Sequence, residues 1–91
     1  MVIWRHEEFW PNGRIREEGA VTRGRPTGEW VGWHPNGAKW YVCTYNGAGR
    51  PKGIWLMWDV DGKLIEEEHW ESGTLVSRWE CDPPWEWPEG Y

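Results

Sequence analysis

The sequence predicts an all-β fold, in which a single-domain antiparallel β-meander of about seven strands is built from three β-hairpin repeats of 24–25 residues. The pattern Gly-x-Trp-x-x-Trp-x-x-x-Gly occurs at residues 28–37 and again at residues 53–62, and self-similarity at this period is typical of repeat architectures. Eleven Trp, three Tyr and one Phe supply most of the large apolar side chains, and bulky rings fit pleated strands better than helices.

The segments between the glycine-bounded turns are six to eight residues long, which is strand length and too short for a stable helix. The turns reverse the chain, so consecutive strands are predicted to pair in antiparallel fashion. In chain order, the predicted strands are Val2–Phe9, Arg14–Val21, Glu29–His34, Ala38–Tyr45, Ile54–Asp59, Lys63–Trp70 and Leu75–Glu80.

Two series of turns join these strands. The first series lies at residues 11–13, 35–37 and 60–62, where Asn-Gly or Asp-Gly predicts type I′ hairpin turns. The second series lies at residues 23–28, 46–53 and 71–74. The first two contain Arg-Pro-x-Gly at residues 25–28 and 50–53, where proline suits the second position of a type I turn and glycine the closing position. We expect the two series to form opposite edges of the sheet.

Both faces of the predicted sheet carry apolar side chains. In the fifth strand, Trp55 and Met57 point to one side, whereas Leu56 and Trp58 point to the other. Such a sheet must be strongly twisted, covered by its own tail or joined to another copy, so a homodimer is one expected arrangement. We predict a repeat domain over residues 1–80 and a Trp/Pro-rich tail over residues 81–91 that packs on the sheet.

The N-terminal segment lacks a basic region followed by an apolar run, and no stretch approaches membrane-spanning length. We therefore expect a cytoplasmic protein that does not bind a membrane. Cys43 and Cys81 lie far apart, and two cysteines are too few for a disulfide-rich secreted scaffold, so free thiols are favoured over a disulfide.

The segment Trp30-x-x-Trp33-His34-Pro35-Asn36-Gly37, followed by a strand, an Asn-Gly turn and Gly53-x-Trp55, resembles the MORN-type repeat, in particular the bacterial variant found in antitoxin-like repeat proteins. The resemblance covers about residues 9–80, and it departs from the pattern at Val60, at Ser77 and at the two-residue insertion near Gly49. It implies β-hairpins laid side by side, no catalytic residues, and a function in binding and neutralising a partner protein.

No common catalytic or nucleotide-binding motif occurs, so no enzyme activity and no cofactor are predicted. His6, His34, His69 and the two cysteines lack the close pairs that structural zinc sites use, so no metal is expected. Residues 66–68 are three consecutive glutamates; Glu66 and Glu68 share one face of their strand, and a solvated charged face is favoured over an acid–base pair.

The tryptophans divide into a periodic and an irregular group. The first is assigned to the repeat core, where Trp55 is predicted to pack between Trp30 and Trp79; the second, if exposed, would form a protein-binding patch in preference to a sugar-stacking platform. The predicted core residues are Trp30, Trp33, Trp55, Trp58 and Trp79, and the candidate partner-binding residues are Trp70, Trp85, Trp87, Glu66, Glu67 and Glu68.

Charge is unevenly distributed along the chain, whose net charge is −5. Residues 1–60 hold eight Lys or Arg against six Asp or Glu, whereas residues 61–91 hold two against nine. Direct nucleic-acid binding is not expected, although a basic rim of Arg23, Arg25, Arg50 and Lys52 is predicted along one turn edge.

An acidic C-terminal third would steer a basic partner. We therefore predict a non-enzymatic, antitoxin- or immunity-like module that occludes another protein. Two alternatives are a small acidic inhibitor of a nucleic-acid-processing or defence enzyme, including a phage-encoded one, and a carbohydrate-binding module that uses exposed Trp.

Overall fold

The computed structural model describes residues 3–86, which form one open antiparallel sheet with the strand order β1-β2-β3-β4-β5-β6-β7. The predicted all-β meander of seven strands is therefore confirmed. No helix within residues 3–86 is long and apolar enough to cross a membrane. The strands are β1 (Ile3–Phe9), β2 (Ile15–Thr22), β3 (Arg25–Trp33), β4 (Lys39–Tyr45), β5 (Pro51–Trp58), β6 (Leu64–Glu71) and β7 (Thr74–Glu80).

The turns of the first series are not type I′ turns, which is a correction to the prediction. Only the closing glycine has a positive φ, at +86° in Gly13 and +88° in Gly37, whereas Asn12 and Asn36 keep a negative φ. Proline cannot adopt a positive φ, so Pro-Asn-Gly instead forms a type I turn that ends on a left-handed glycine. In each turn the glycine N–H donates back to the first residue, as from Gly13 to the Trp10 carbonyl at 2.9 Å.

Type I′ turns occur on the opposite edge. Arg23-Gly24 and Ser72-Gly73 are two-residue connections in which both residues have a positive φ. The two Arg-Pro-x-Gly segments were predicted to be turns, and this is wrong: residues 25–28 begin β3, and residues 51–53 begin β5. Gly28 and Gly53 adopt a positive φ inside these strands, at +69° and +71°, where each strand bulges.

The bulges decide which face each repeated tryptophan occupies. Three residues of β3 lie opposite Gly19, and three residues of β5 lie opposite Cys43, so Trp30 and Trp55 point to the same face. The β6–β7 pair has only one extra residue, Val76. Trp79 therefore pairs with Glu67 and points to the opposite face, because one residue of shift reverses the alternation of side chains.

Two predictions about the core are consequently wrong. Trp79 is 50 % exposed on the edge strand instead of buried. Trp55 packs between Tyr45 and Trp70, with ring centroids 5.2 and 5.7 Å away, instead of between Trp30 and Trp79. Of the predicted core rings other than Trp79, Trp30 is buried and Trp55 is half-buried. Trp33 and Trp58 are also half-buried, on the first-series turn edge.

Neighbouring strands pack through an aromatic ring that lies over a glycine of the preceding strand. The Trp30 ring covers Gly19, where a Cβ atom would lie 2.1 Å from the ring, and the Tyr41 ring covers Gly32 at an equivalent 2.0 Å. The Trp30 indole N–H donates to the Ala20 carbonyl at 3.1 Å. Glycine at these positions is thus required by the close approach of a ring.

The sheet is a thin layer, with Cα extents of 41 × 35 × 16 Å, so few side chains are completely buried. His34 is one of them, and it stacks on Trp40 with centroids 5.6 Å apart while Trp85 meets it edge-on at 6.1 Å. Its Nε2 lies 2.8 Å from the Trp58 carbonyl oxygen. Because a carbonyl can only accept a hydrogen bond, Nε2 carries the proton.

The described part of the tail, residues 81–86, contacts this end of the sheet. The Cys81 N–H donates to the Ile65 carbonyl at 3.0 Å, and Trp85 reaches His34. Cys43 and Cys81 are both buried and free, as predicted.

Candidate protein-binding groove

A groove of about 440 Å³ crosses the face that carries Trp30 and Trp55, which we call the groove face. The register places residues from several strands side by side, because Trp30 pairs with Cys43 and Tyr41 with Met57. The groove is mostly apolar, and its size is within the range of protein ligand sites. Its aromatic wall consists of Trp30, Trp40, Tyr41, Tyr45 and Trp55.

Three carboxylates lie in this apolar groove: Glu17, Glu66 and Glu68. Glu17 accepts a hydrogen bond from the Tyr41 hydroxyl at 2.6 Å, and Glu68 accepts one from the Trp70 indole N–H at 3.1 Å. Arg78 on the edge strand donates through Nε to Glu66 at 2.6 Å and lies 3.5 Å from Glu68. The groove therefore holds more negative than positive charge.

Burial and negative charge disfavour ionisation within the groove. Burial first, and then the hydrogen bond and charge of Glu17, raise the pKa of Tyr41. Burial likewise raises the pKa of Cys43 to about 12 and that of Tyr45 to about 12, with Glu17 adding to both shifts. The Cys43 thiol is thus protonated near neutral pH, which makes it a poor nucleophile.

The three consecutive glutamates lie on two different faces of the sheet, and the alternation of side chains along the strand predicted this separation. Glu66 pairs with Met57 and Glu68 pairs with Trp55, so both point into the groove. Glu67 points to the other face, where its carboxylate lies 2.8 Å from His69 Nε2. Only two of the three candidate acidic residues therefore belong to the groove.

The three candidate tryptophans outside the core are separated. Trp70 lies on the groove face against Trp55. Trp85 is half-buried beside His34 and lines a smaller cleft of about 170 Å³ with Ile65 and Arg78. Trp87 lies outside the described residues, so no patch formed by all three is described.

The four residues of the basic rim are exposed along the edge opposite the Pro-Asn-Gly turns. Arg25 donates to the Ala48 carbonyl at 3.2 Å in the neighbouring turn, and the Arg50 side chain lies beside Gly73 in the next one. Arg23 occupies the left-handed position of its turn, and Lys52 lies near the start of β5. These contacts place the cations at successive turns, spread along the edge.

A further cluster forms where β1 meets β2. His6, Glu8 and Glu17 each place one possible ligand atom within 4.8 Å of the others. Arg16 contacts Glu8, and Tyr41 donates to Glu17. The carboxylates are therefore already engaged by protein groups, and the arrangement is accounted for as a network of hydrogen bonds and ion pairs.

Sequence reasoning missed Glu17, Tyr41 and Tyr45 as members of the site. Glu17 and Tyr41 are 24 residues apart, which is one repeat, and their equivalent in the next repeat is Glu66. Aligning the second strand of each hairpin would have shown that this position always carries a polar or aromatic side chain. The repeat period was thus the signal that could have located the groove.

A comparison of the chain with family models, with curated proteins and with solved structures found no match.

Proposed function

We propose that the protein is a non-enzymatic binding module of the MORN-like antitoxin type, which neutralises a partner protein by covering one of its functional surfaces. The observation that carries the proposal is the open, mostly apolar groove, which is lined by aromatic rings on a single-layer sheet. Aromatic residues are enriched among the residues that dominate binding energy at protein interfaces.

The charge of the chain favours a basic partner. Residues 61–91 hold nine acidic residues against two basic ones, and two of the acidic residues, Glu66 and Glu68, line the groove. A negative surface of this kind increases the association rate of a positively charged protein. This feature supports a second candidate, an inhibitor of a nucleic-acid-processing enzyme whose basic groove it would occupy.

The proposal is tested with two variants that introduce the same charge at different places. Val21→Lys puts a cation into the groove, whereas Val76→Lys puts one on the exposed edge strand outside it. A partner is first captured from the native host and identified by mass spectrometry, and its activity is then measured with increasing amounts of each purified protein. We expect stoichiometric inhibition by the wild-type protein and by Val76→Lys, and at least tenfold weaker inhibition by Val21→Lys.

Other outcomes would contradict the proposal in identifiable ways. A partner that binds without losing activity would rule out neutralisation. Inhibition lost with Val76→Lys and kept with Val21→Lys would place the binding surface on the edge strand. Specific binding to a glycan array, without any captured protein, would favour the carbohydrate-binding alternative.

A further inference from the structure

The charged side chains described in the groove are all hydrogen-bond acceptors. Among the described residues that line it, none is Lys, Arg or His, and three are glutamates. The Tyr41 hydroxyl already donates to Glu17. A ligand that fits the groove must therefore bring its own donors or positive charge.

The indole N–H groups of Trp30 and Trp55 already donate to backbone carbonyls. Trp30 donates to the Ala20 carbonyl, and Trp55 lies 3.1 Å from the Thr44 carbonyl and 3.2 Å from the Lys52 carbonyl. Both rings consequently offer a ligand only carbon atoms and π-electrons. The negative faces of aromatic rings attract cations, and the planar guanidinium of arginine also stacks on them.

The chain contains an internal example of a guanidinium bound by two of these carboxylates. Arg78 on β7 donates to the groove residue Glu66 at 2.6 Å and to Glu80 at 2.8 Å, and it lies 3.5 Å from Glu68. One guanidinium is thus met by three carboxylates, so negative charge remains in excess even before Glu17 is counted. Glu17 adds further negative charge to the groove, and this charge helps to raise the pKa of Tyr41, Cys43 and Tyr45.

We propose that the groove binds an arginine side chain of the partner protein, with the guanidinium among the aromatic rings and its charge met by Glu17, Glu66 and Glu68. The inference rests on the proposed function in one respect, that the natural ligand is a protein. Arginine suits the groove better than lysine because a guanidinium is more weakly hydrated and can bind a carboxylate through two hydrogen bonds. The groove would then both orient and anchor a basic partner.

The test uses short peptides in place of the partner. The probe is acetyl-Gly-Gly-Arg-Gly-Gly-amide, and the matched neutral peptide has citrulline instead of arginine. Binding to the full chain is measured by calorimetry and by shifts of the Trp indole N–H resonances. We expect a Kd of about 1 mM or tighter for the arginine peptide and at least about tenfold weaker binding of the citrulline peptide.

The chain offers a control from the same strand. The double variant Glu66→Gln/Glu68→Gln removes two groove charges, whereas Glu67→Gln removes a charge from the opposite face. We expect the double variant to weaken arginine binding about tenfold or more, and Glu67→Gln to change it less than about twofold, because charge-assisted hydrogen bonds are about twice as strong as neutral ones. Urea unfolding curves establish that all variants are folded.

Three results would each overturn the inference: equal binding of the two peptides, no binding at about 10 mM peptide, or an equal effect of Glu67→Gln and the double variant. A captured partner that is neutralised while the arginine peptide does not bind would refute this inference and leave the proposed function intact. Arginine binding without any neutralised partner would do the reverse.

Discussion

Trp55 and Trp79 occupy equivalent places in the repeat pattern and different places in the sheet, which makes them a matched pair for a stability test. Trp55 packs between Tyr45 and Trp70, at 5.2 and 5.7 Å, and its N–H is bonded to backbone carbonyls. Trp79 is 50 % exposed on β7. Replacing each by alanine removes the same atoms from two environments.

The magnitudes follow from these environments. An aromatic pair contributes about 0.5–1.5 kcal/mol beyond the burial of area, and Trp55 makes two such pairs. Because Trp55 is half-buried, adding the lost burial places Trp55→Ala at about 3 kcal/mol, the lower end of the range for emptying a buried aromatic site. Trp79→Ala removes a ring that is half in water, so its cost is about 1 kcal/mol, roughly half of what full burial of an aromatic side chain provides.

The free energy of unfolding is measured by urea denaturation, with circular dichroism as the signal and the slope m compared between variants. A difference of at least about 2 kcal/mol between Trp55→Ala and Trp79→Ala is expected. Equal losses would show that the one-residue bulge of β7 does not turn Trp79 away from the packed face. A larger loss for Trp79→Ala would refute the register itself.

Two further predictions concern close packing and pH. Gly19→Ala would place a Cβ atom 2.1 Å from the Trp30 ring, so we expect it to lower the free energy of unfolding by about 2 kcal/mol or more. Gly47→Ala, with nothing within 4 Å of its Cβ, should change that free energy by less than about 1 kcal/mol. Equal urea midpoints of the two variants would contradict this prediction. Folding raises the pKa of Cys43 and of Tyr45 to about 12 from 9.0 and 10.0, so the unfolded chain loses these protons first and stability should fall as pH rises from about 9 towards 12. Thermal unfolding between pH 8 and pH 11 measures this effect, Cys43→Ala should reduce it, and a constant midpoint would be incompatible with burial of both groups.

The sequence by itself determined the architecture of this protein. The two series of glycine-containing turns are local signals, and the six- to eight-residue segments between them are too short for stable helices. These segments are therefore strands that pair with their neighbours. All seven strands and their order followed from these signals. The alternation of residues 66–68 was equally local, which is why the separation of Glu67 from Glu66 and Glu68 could be predicted.

Only the tertiary structure decided which residues form the groove. Side chains alternate with a period of two, so each bulge determines the face that all following residues occupy, and a bulge depends on pairing with another strand. Two extra residues in β3 and β5 leave Trp30 and Trp55 on the groove face, whereas one extra residue in β7 turns Trp79 away. The contact between Glu17 and Tyr41 also depends on the tertiary structure, because it joins β2 and β4, and β3 lies between these two strands in the sequence and in the sheet.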